Sequence, residues 1–161
     1  MANTLLSWPN REPVLFAGLV AAAMLATAFG FQFAGYAPCE MCWWQRYPYF
    51  AAVTVALAAK AFRALPALFT TALMALLFAL DASLALFHVG VEQKWWEGFT
   101  SCTALVDFSG DMDATLDAIM NAPVVRCDEI AWSLFGISMA GYNFIIATAM
   151  TVFLVSHLRK A

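Results

Sequence analysis

Residues 14–33 read VLFAGLVAAAMLATAFGFQF, an unbroken apolar run of 20 residues. A helix of this length spans the ~30 Å hydrocarbon core of a bilayer. The run is longer than the apolar part of a secretory signal peptide, and no A-x-A site followed by a soluble polar chain accompanies it. It therefore predicts a retained transmembrane helix and places the chain among membrane proteins.

The composition of the whole chain agrees with that class. The 161 residues are 63% hydrophobic and only 12% charged, whereas a soluble domain has roughly 25% charged residues. The length gives room for one domain, residues 1–161. The net charge of −3 is small and predicts no nucleic-acid partner.

Three further apolar segments have transmembrane length. Together with the first run they predict spans at residues 14–33, 43–62, 65–89 and 132–155. The predicted fold is an all-α integral membrane protein, a four-transmembrane-helix bundle with two outer loops. In the second loop, the stretch SGDMDATLDAIMN (residues 109–121) predicts a short amphipathic helix.

The basic residues predict the orientation of the bundle. Five flank the termini and the connection between the second and third spans: Arg11, Lys60, Arg63, Arg159 and Lys160. Three lie on the opposite side: Arg46, Lys94 and Arg126. Because basic residues near span ends favour the cytoplasm, we expect cytoplasmic termini and outward-facing loops.

All four cysteines fall in the two outer loops: Cys39, Cys42, Cys102 and Cys127. Cysteines confined to an exported face suit an oxidising compartment, where disulfides persist. Four cysteines allow three pairings, and spacing alone does not choose among them. A disulfide between Cys102 and Cys127 could staple its loop or be offered to an outside partner.

The first pair, in Pro38-Cys39-Glu40-Met41-Cys42, lies directly before the second span. Unpaired N–H groups at a helix start, together with a nearby cation, favour a thiolate. Arg46 is four residues after Cys42 and therefore one helical turn further on, on the same face. The spacing predicts that one thiol of the pair ionises easily and can exchange with a disulfide or reduce an electron acceptor.

The same residues have simpler interpretations. The C-x-x-C pair could form a structural disulfide or half of a zinc site, although Cys102 and Cys127 lack zinc-site spacing. Arg46 could extend to the lipid headgroups, and its aromatic neighbours could form an interfacial belt. An outer-side arginine among aromatic rings is better explained by a site for a flat, apolar molecule with carbonyl groups.

Two ionisable residues lie on one face of the third predicted span, Asp81 and His88. His88 falls near the outer surface, level with Arg46, and is a candidate to touch a bound cofactor or to assist proton release. Asp81 lies deeper. We interpret it as structural, either paired with Asn143 or Thr148 or held as a protonated acid.

Three stretches together resemble the DsbB family of bacterial disulfide-forming membrane proteins. They are CEMCWWQR at residues 39–46, HVGVEQKWWEGFTSC at 88–102 and VVRCDEIAWSLFGISMAGYN at 124–143. The resemblance extends from the first span to the last. C-x-x-C alone would be a weak signal, and the combination is specific.

The resemblance implies an inner-membrane protein that reoxidises a periplasmic DsbA-type thiol oxidase. The electrons would pass to ubiquinone or menaquinone. By this resemblance, the partner attacks a disulfide at Cys102, whose mate Cys127 exchanges with Cys39. Cys42 is the thiolate that faces the quinone, Arg46 holds the quinone, and His88 lies near it.

Two other functions remain open at this point. A bundle like vitamin K epoxide reductase also joins quinones to loop cysteines, but its C-x-x-C lies toward the last span of the core bundle rather than before the second. A non-enzymatic membrane scaffold would use the cysteines only to staple its outer loops.

Overall fold

The computed structural model describes residues 12–62, 65–98 and 125–160. Over these residues the chain forms four α-helices and a β-hairpin: α1 Pro13–Phe33, α2 Glu40–Ala61, α3 Ala67–Glu92, β1 Ser133–Leu134, β2 Ile137–Ser138 and α4 Met139–Leu158. Cys102 and the predicted amphipathic helix at 109–121 lie outside the described residues.

Three of these helices are long and apolar enough to cross a membrane: α1, α3 and α4. Helix α2 has the length but is more polar, because it carries Gln45, Arg46 and Lys60. The mostly helical fold is therefore confirmed, and a fourth span stays a prediction.

The helices pack around a core of small and large apolar side chains. At the α1–α2 contact, a Cβ atom added to Gly18 would lie 2.2 Å from the Cβ atom of Ala56, so only glycine allows this approach. Ala52 and Ala147 are also almost fully buried, beside Phe78. Small residues bring the helix backbones together, as they do in membrane bundles.

The fourth helix begins at Met139 rather than at Trp132, where the predicted span starts. An antiparallel hairpin precedes it, pairing Ser133 with Ser138 and Leu134 with Ile137. Phe135 and Gly136 form the two-residue turn at φ values of 51° and 79°, the left-handed conformation that short hairpins require. Ser138 then caps α4 by accepting a hydrogen bond from the Gly141 N–H at 3.1 Å. The apolar composition of residues 132–138 hid these turn and cap signals.

One end of the bundle gathers the last turns of α1 and α3 and the first turns of α2 and α4. Arg46 of α2 contacts Gln32 of α1, and Glu92 of α3 accepts a hydrogen bond from Ser138. The described parts of the two predicted outer loops therefore lie at the same end of the bundle, where the candidate site lies.

Candidate active site

The C-x-x-C pair lies at the start of α2, as the spacing predicts. Cys39 is the N-cap residue, and its sulfur accepts a hydrogen bond from the Cys42 N–H at 3.3 Å. The two sulfur atoms are 3.0 Å apart. The sequence thus places both thiols at the helix end where backbone N–H groups are unpaired. This arrangement favours negative charge on sulfur.

The two thiols differ in their surroundings. Cys39 is buried, whereas Cys42 is half-buried, and both lie on the wall of a cavity. The side-chain hydrogen bond with Cys42 raises the pKa of the Cys39 thiol, and burial raises this pKa further. When the pair loses one proton, the charge therefore belongs on Cys42, the thiol closer to Arg46 in sequence.

Arg46 is buried, with only 5% of its surface exposed. Its guanidinium donates to the Gln32 side chain at 2.7 Å and to the Ala28 carbonyl at 3.3 Å. It lies over the rings of Phe29 and Trp43, at 4.7 Å and 4.6 Å from their centroids. Arg46 therefore points into the bundle and does not extend toward headgroups. Its Nε atom has no hydrogen-bond partner among the described residues.

His88 is also buried and faces the dithiol from α3. Its Nε2 atom is 3.7 Å from the sulfur of Cys39 and 4.0 Å from a carboxylate oxygen of Glu92. Its Nδ1 atom is 2.8 Å from the side-chain nitrogen of Gln45. The structure thus brings His88 to the predicted level, with Cys39 as its nearest redox group.

Cys127 reaches the same end of the bundle from the segment before the hairpin. It is 2% exposed and packs with Cys39, Met41 and Val91. Three of the four predicted redox cysteines therefore lie in one region. Cys102 falls outside the described residues, and the roles of all four remain predictions.

A cavity of about 390 Å³ opens beside these groups. Its wall includes Cys42, Arg46 and His88. Apolar side chains form another part of the wall: Met24, Leu25, Phe31, Trp132 and Ile146. This volume lies in the range of small-molecule sites, which combine apolar walls with a few polar groups.

Sequence reasoning named Asn143 only as a partner of Asp81, and it did not assign several polar residues to the site: Gln32, Gln45, Tyr49, Glu92 and Asn143. All except Gln32 line the cavity. Glu92 could have been found because it lies four residues after His88 on one helix face. Gln45 follows Cys42 by three residues and could have been found in the same way. Gln32 carries no comparable signal, since its role depends on the packing of α1 against α2.

Asp81 is fully buried beside Tyr49 and Asn143. Neither of its carboxylate oxygens makes a hydrogen bond to another described residue, and the same holds for the Thr148 hydroxyl. The predicted proximity to Asn143 is present, since Asn143 and Tyr49 both interact with the Asp81 carboxylate. Asn143 also hydrogen-bonds to Gln45 and Tyr49. Asp81 is thus a buried acid set apart from the dithiol.

Comparison with known proteins decides the family. The profile described as disulfide bond formation protein DsbB matches residues 10–157. The chain belongs to the DsbB family. It is also 24% identical over 121 residues to uncharacterized protein RP370 of Rickettsia prowazekii (strain Madrid E). The aligned stretch covers 74% of this chain and 70% of that protein. No solved structure matches.

Membership in the DsbB family, together with three membrane-capable helices, identifies a multi-pass membrane protein of disulfide-bond formation. The structural alternative of a metal site is still relevant. Cys39, Cys42 and His88 offer ligand atoms that lie within 4.8 Å of one another. Geometry alone permits a metal ion there. Whether His88 can bind one depends on which of its ring nitrogens carries the proton.

Proposed function

We propose that this DsbB-family chain is a thiol:quinone oxidoreductase. It reoxidises a periplasmic DsbA-type thiol oxidase by disulfide exchange and delivers the electrons to ubiquinone or menaquinone. The observation that carries the proposal is the joint position of the Cys39–Cys42 dithiol and buried Arg46 on the wall of one largely apolar cavity.

The residues of the cavity fit a quinone. Apolar and aromatic side chains suit its ring. The Nε atom of Arg46, which has no partner among the described residues, is a buried donor suited to a carbonyl oxygen. A bound quinone would supply an acceptor for two electrons and two protons. Arg46 would orient this group and favour a thiolate on Cys42, while the apolar wall would exclude water.

The electron route begins at the other cysteine pair. The thiolate of the partner forms a bond to Cys102, and Cys127 leaves as a thiolate. The Cys127 thiolate then bonds to Cys39 and breaks the Cys39–Cys42 disulfide, so that Cys42 becomes the thiolate on the cavity wall. The packing of Cys127 with Cys39 supports this exchange.

Helix α2 serves as the fourth span in this proposal. Its polar side chains Gln45 and Arg46 face inward, whereas Phe50 and Leu57 are exposed on its outer side. An outer apolar face with polar groups turned into the bundle is the arrangement that a bilayer requires. The termini would lie in the cytoplasm of a bacterium and the cysteines at the periplasmic face of its inner membrane.

Quinone reduction by the purified protein in detergent tests the proposal. A reduced DsbA-type partner and either ubiquinone or menaquinone would be supplied, and quinone absorbance would be followed. We expect turnover that is lost in Cys42→Ser and retained in Ser133→Ala, a change in the exposed hairpin. A folded, disulfide-intact protein that turns over neither quinone would contradict the proposal and leave the cysteines as structural staples.

A further inference from the structure

A buried chain of hydrogen bonds links three helices and ends at His88. The Tyr49 hydroxyl donates to the Asn143 carbonyl oxygen at 2.5 Å, and the Asn143 amide nitrogen donates to the Gln45 oxygen at 2.7 Å. The Gln45 amide nitrogen then meets His88 Nδ1 at 2.8 Å. All four side chains are at most 7% exposed. Water is therefore a poor substitute for any of these contacts.

The orientation of the Gln45 amide follows from its other partners. Its nitrogen lies 3.3 Å from the backbone carbonyl of Met41, which can only accept. Its oxygen receives the amide hydrogen of Asn143. Gln45 therefore presents an N–H group to His88. Since a neutral imidazole has one donor and one acceptor nitrogen, Nδ1 must be the acceptor and the proton lies on Nε2.

The surroundings of Nε2 agree with this assignment. This atom faces the sulfur of Cys39 at 3.7 Å and the Glu92 carboxylate at 4.0 Å, and the His88 ring also hydrogen-bonds to the backbone of Cys127. A sulfur, a carboxylate and a backbone carbonyl can each accept a hydrogen bond. A protonated Nε2 has no lone pair in the ring plane for a metal ion. The same tautomer thus disfavours metal binding by Cys39, Cys42 and His88.

From this geometry we infer that Gln45 is a positioning residue that holds His88 as its Nε2–H tautomer, so that His88 donates toward the sulfur of Cys39. Under the proposed function, on which the role of this donor depends, the second thiolate of the dithiol partner bonds to the partner sulfur and releases Cys102 as a thiolate. Cys102 then bonds to Cys127, and Cys39 must leave as a thiolate. The electron pair of the broken Cys39–Cys127 bond stays on Cys39. A donor beside that sulfur stabilises the leaving thiolate.

The tautomer can be measured without any redox assay. The chain has two histidines, so His157→Gln leaves His88 alone in the full-length protein. Nitrogen-15 NMR of histidine-labelled protein in detergent, at alkaline pH, then reads which ring nitrogen carries the proton. We expect a single Nε2–H species in this parent. A parent that carries its proton on Nδ1 would overturn the inference.

Two variants of Gln45 sharpen the test. Gln45→Glu replaces the donor with an acceptor of the same shape, so the proton should move to Nδ1. Gln45→Met removes the hydrogen bond, and both tautomers should appear. Retention of pure Nε2–H in Gln45→Glu would overturn the role of Gln45. Zinc titration of the reduced parent, followed by the same signals, should leave His88 unshifted, and coordination through Nε2 would contradict the tautomer.

A kinetic readout separates this inference from the proposed function. We expect Gln45→Met to slow turnover with the DsbA-type partner about fivefold when quinone is saturating. Saturation is needed because Gln45 lines the cavity, so that a change in quinone binding does not enter the comparison. If His157→Gln carries its His88 proton on Nε2 but does not reduce quinone, the result would refute the proposed function alone. An active parent with an Nδ1–H ring would refute the positioning role alone.

Discussion

The Nε2 atom of His88 lies 3.7 Å from the Sγ atom of Cys39, although the two residues are 49 positions apart in sequence. This contact joins the last turns of α3 to the N-cap of α2. It places an imidazole against the more buried thiol of the pair, while Arg46 is one turn beyond the other thiol. The two thiols therefore have different electrostatic partners, which suits successive steps of one exchange pathway.

Replacing Cys127 tests the exchange pathway at its outer step. In Cys127→Ser, the Cys102 thiolate bonds to one sulfur of the oxidised partner's disulfide, the partner's other sulfur leaves as a thiolate, and no Cys127 is present to resolve the adduct. We expect a mixed disulfide between Cys102 and an exported DsbA-type protein, visible on non-reducing gels. Cys102→Ser is the matched control and should form no such adduct. Equal adduct yields in the two variants would contradict the assigned order.

Replacing Arg46 tests the cavity. In Arg46→Met an unbranched apolar side chain is kept, but the charge and the donors are lost. We expect the KM for quinone to rise at least about tenfold, as expected for the loss of a charged hydrogen bond. Lys94→Met, which removes an exposed cation of the same predicted side that does not line the cavity, is the control. An unchanged KM in folded Arg46→Met would remove Arg46 from the quinone site.

Much of this organisation could be predicted from the sequence because apolar runs and C-x-x-C spacing are local signals. Helix α1 begins one residue before its predicted span and ends with it at Phe33. The dithiol lies at a helix start, as predicted from Pro38 and the following residues. Both features depend on neighbours in the chain and need no tertiary information.

The polar network could not be predicted because it depends on how the helices face one another. Gln45, Asn143 and Tyr49 come from two helices, and no spacing rule relates residue 45 to residue 143. The hairpin before α4 was missed because its residues are apolar enough to extend the predicted span. In both cases, turn geometry or packing overrode the one-dimensional hydrophobic pattern.

The buried acid offers a test of stability. Asp81 has no hydrogen bond from its carboxylate to the described residues, and a charge buried without compensation is costly. Asp81→Asn keeps the shape and removes the charge, so we expect the thermal midpoint of the detergent-solubilised protein to stay the same or rise by a few degrees. Thr148→Val is the comparison variant, because the buried Thr148 hydroxyl also makes no hydrogen bond to the described residues. Loss of quinone turnover in a stable Asp81→Asn protein would show that Asp81 acts in the reaction.

An exposed ion cluster beside Cys127 should respond to acid. Hydrogen bonds from Arg126 and then from Lys94 lower the pKa of Asp128 below its ordinary range. Because the folded pKa is depressed, this contribution is present above the unfolded pKa of ~3.9 and is lost as pH falls through the folded pKa. The protection of residues 125–129 against hydrogen exchange, measured relative to the intrinsic exchange rate at each pH, should therefore fall only in strong acid. In Asp128→Asn, exchange should already be fast at neutral pH, and equal protection in both proteins would contradict the role of the cluster.

The contact between α1 and α2 should tolerate no larger side chain at Gly18. An added Cβ would lie 2.2 Å from that of Ala56, so the helices must separate or the backbone must shift. We expect Gly18→Val to destabilise the protein by about 1–3 kcal/mol, as overpacking usually does. Gly30→Ala on the same helix is the control, since a Cβ atom added there would meet nothing within 4 Å. Adding Ala56→Gly should restore part of the loss. If the thermal midpoint is equally low in the single and double variants, the close contact between Gly18 and Ala56 is not the reason that position 18 requires glycine.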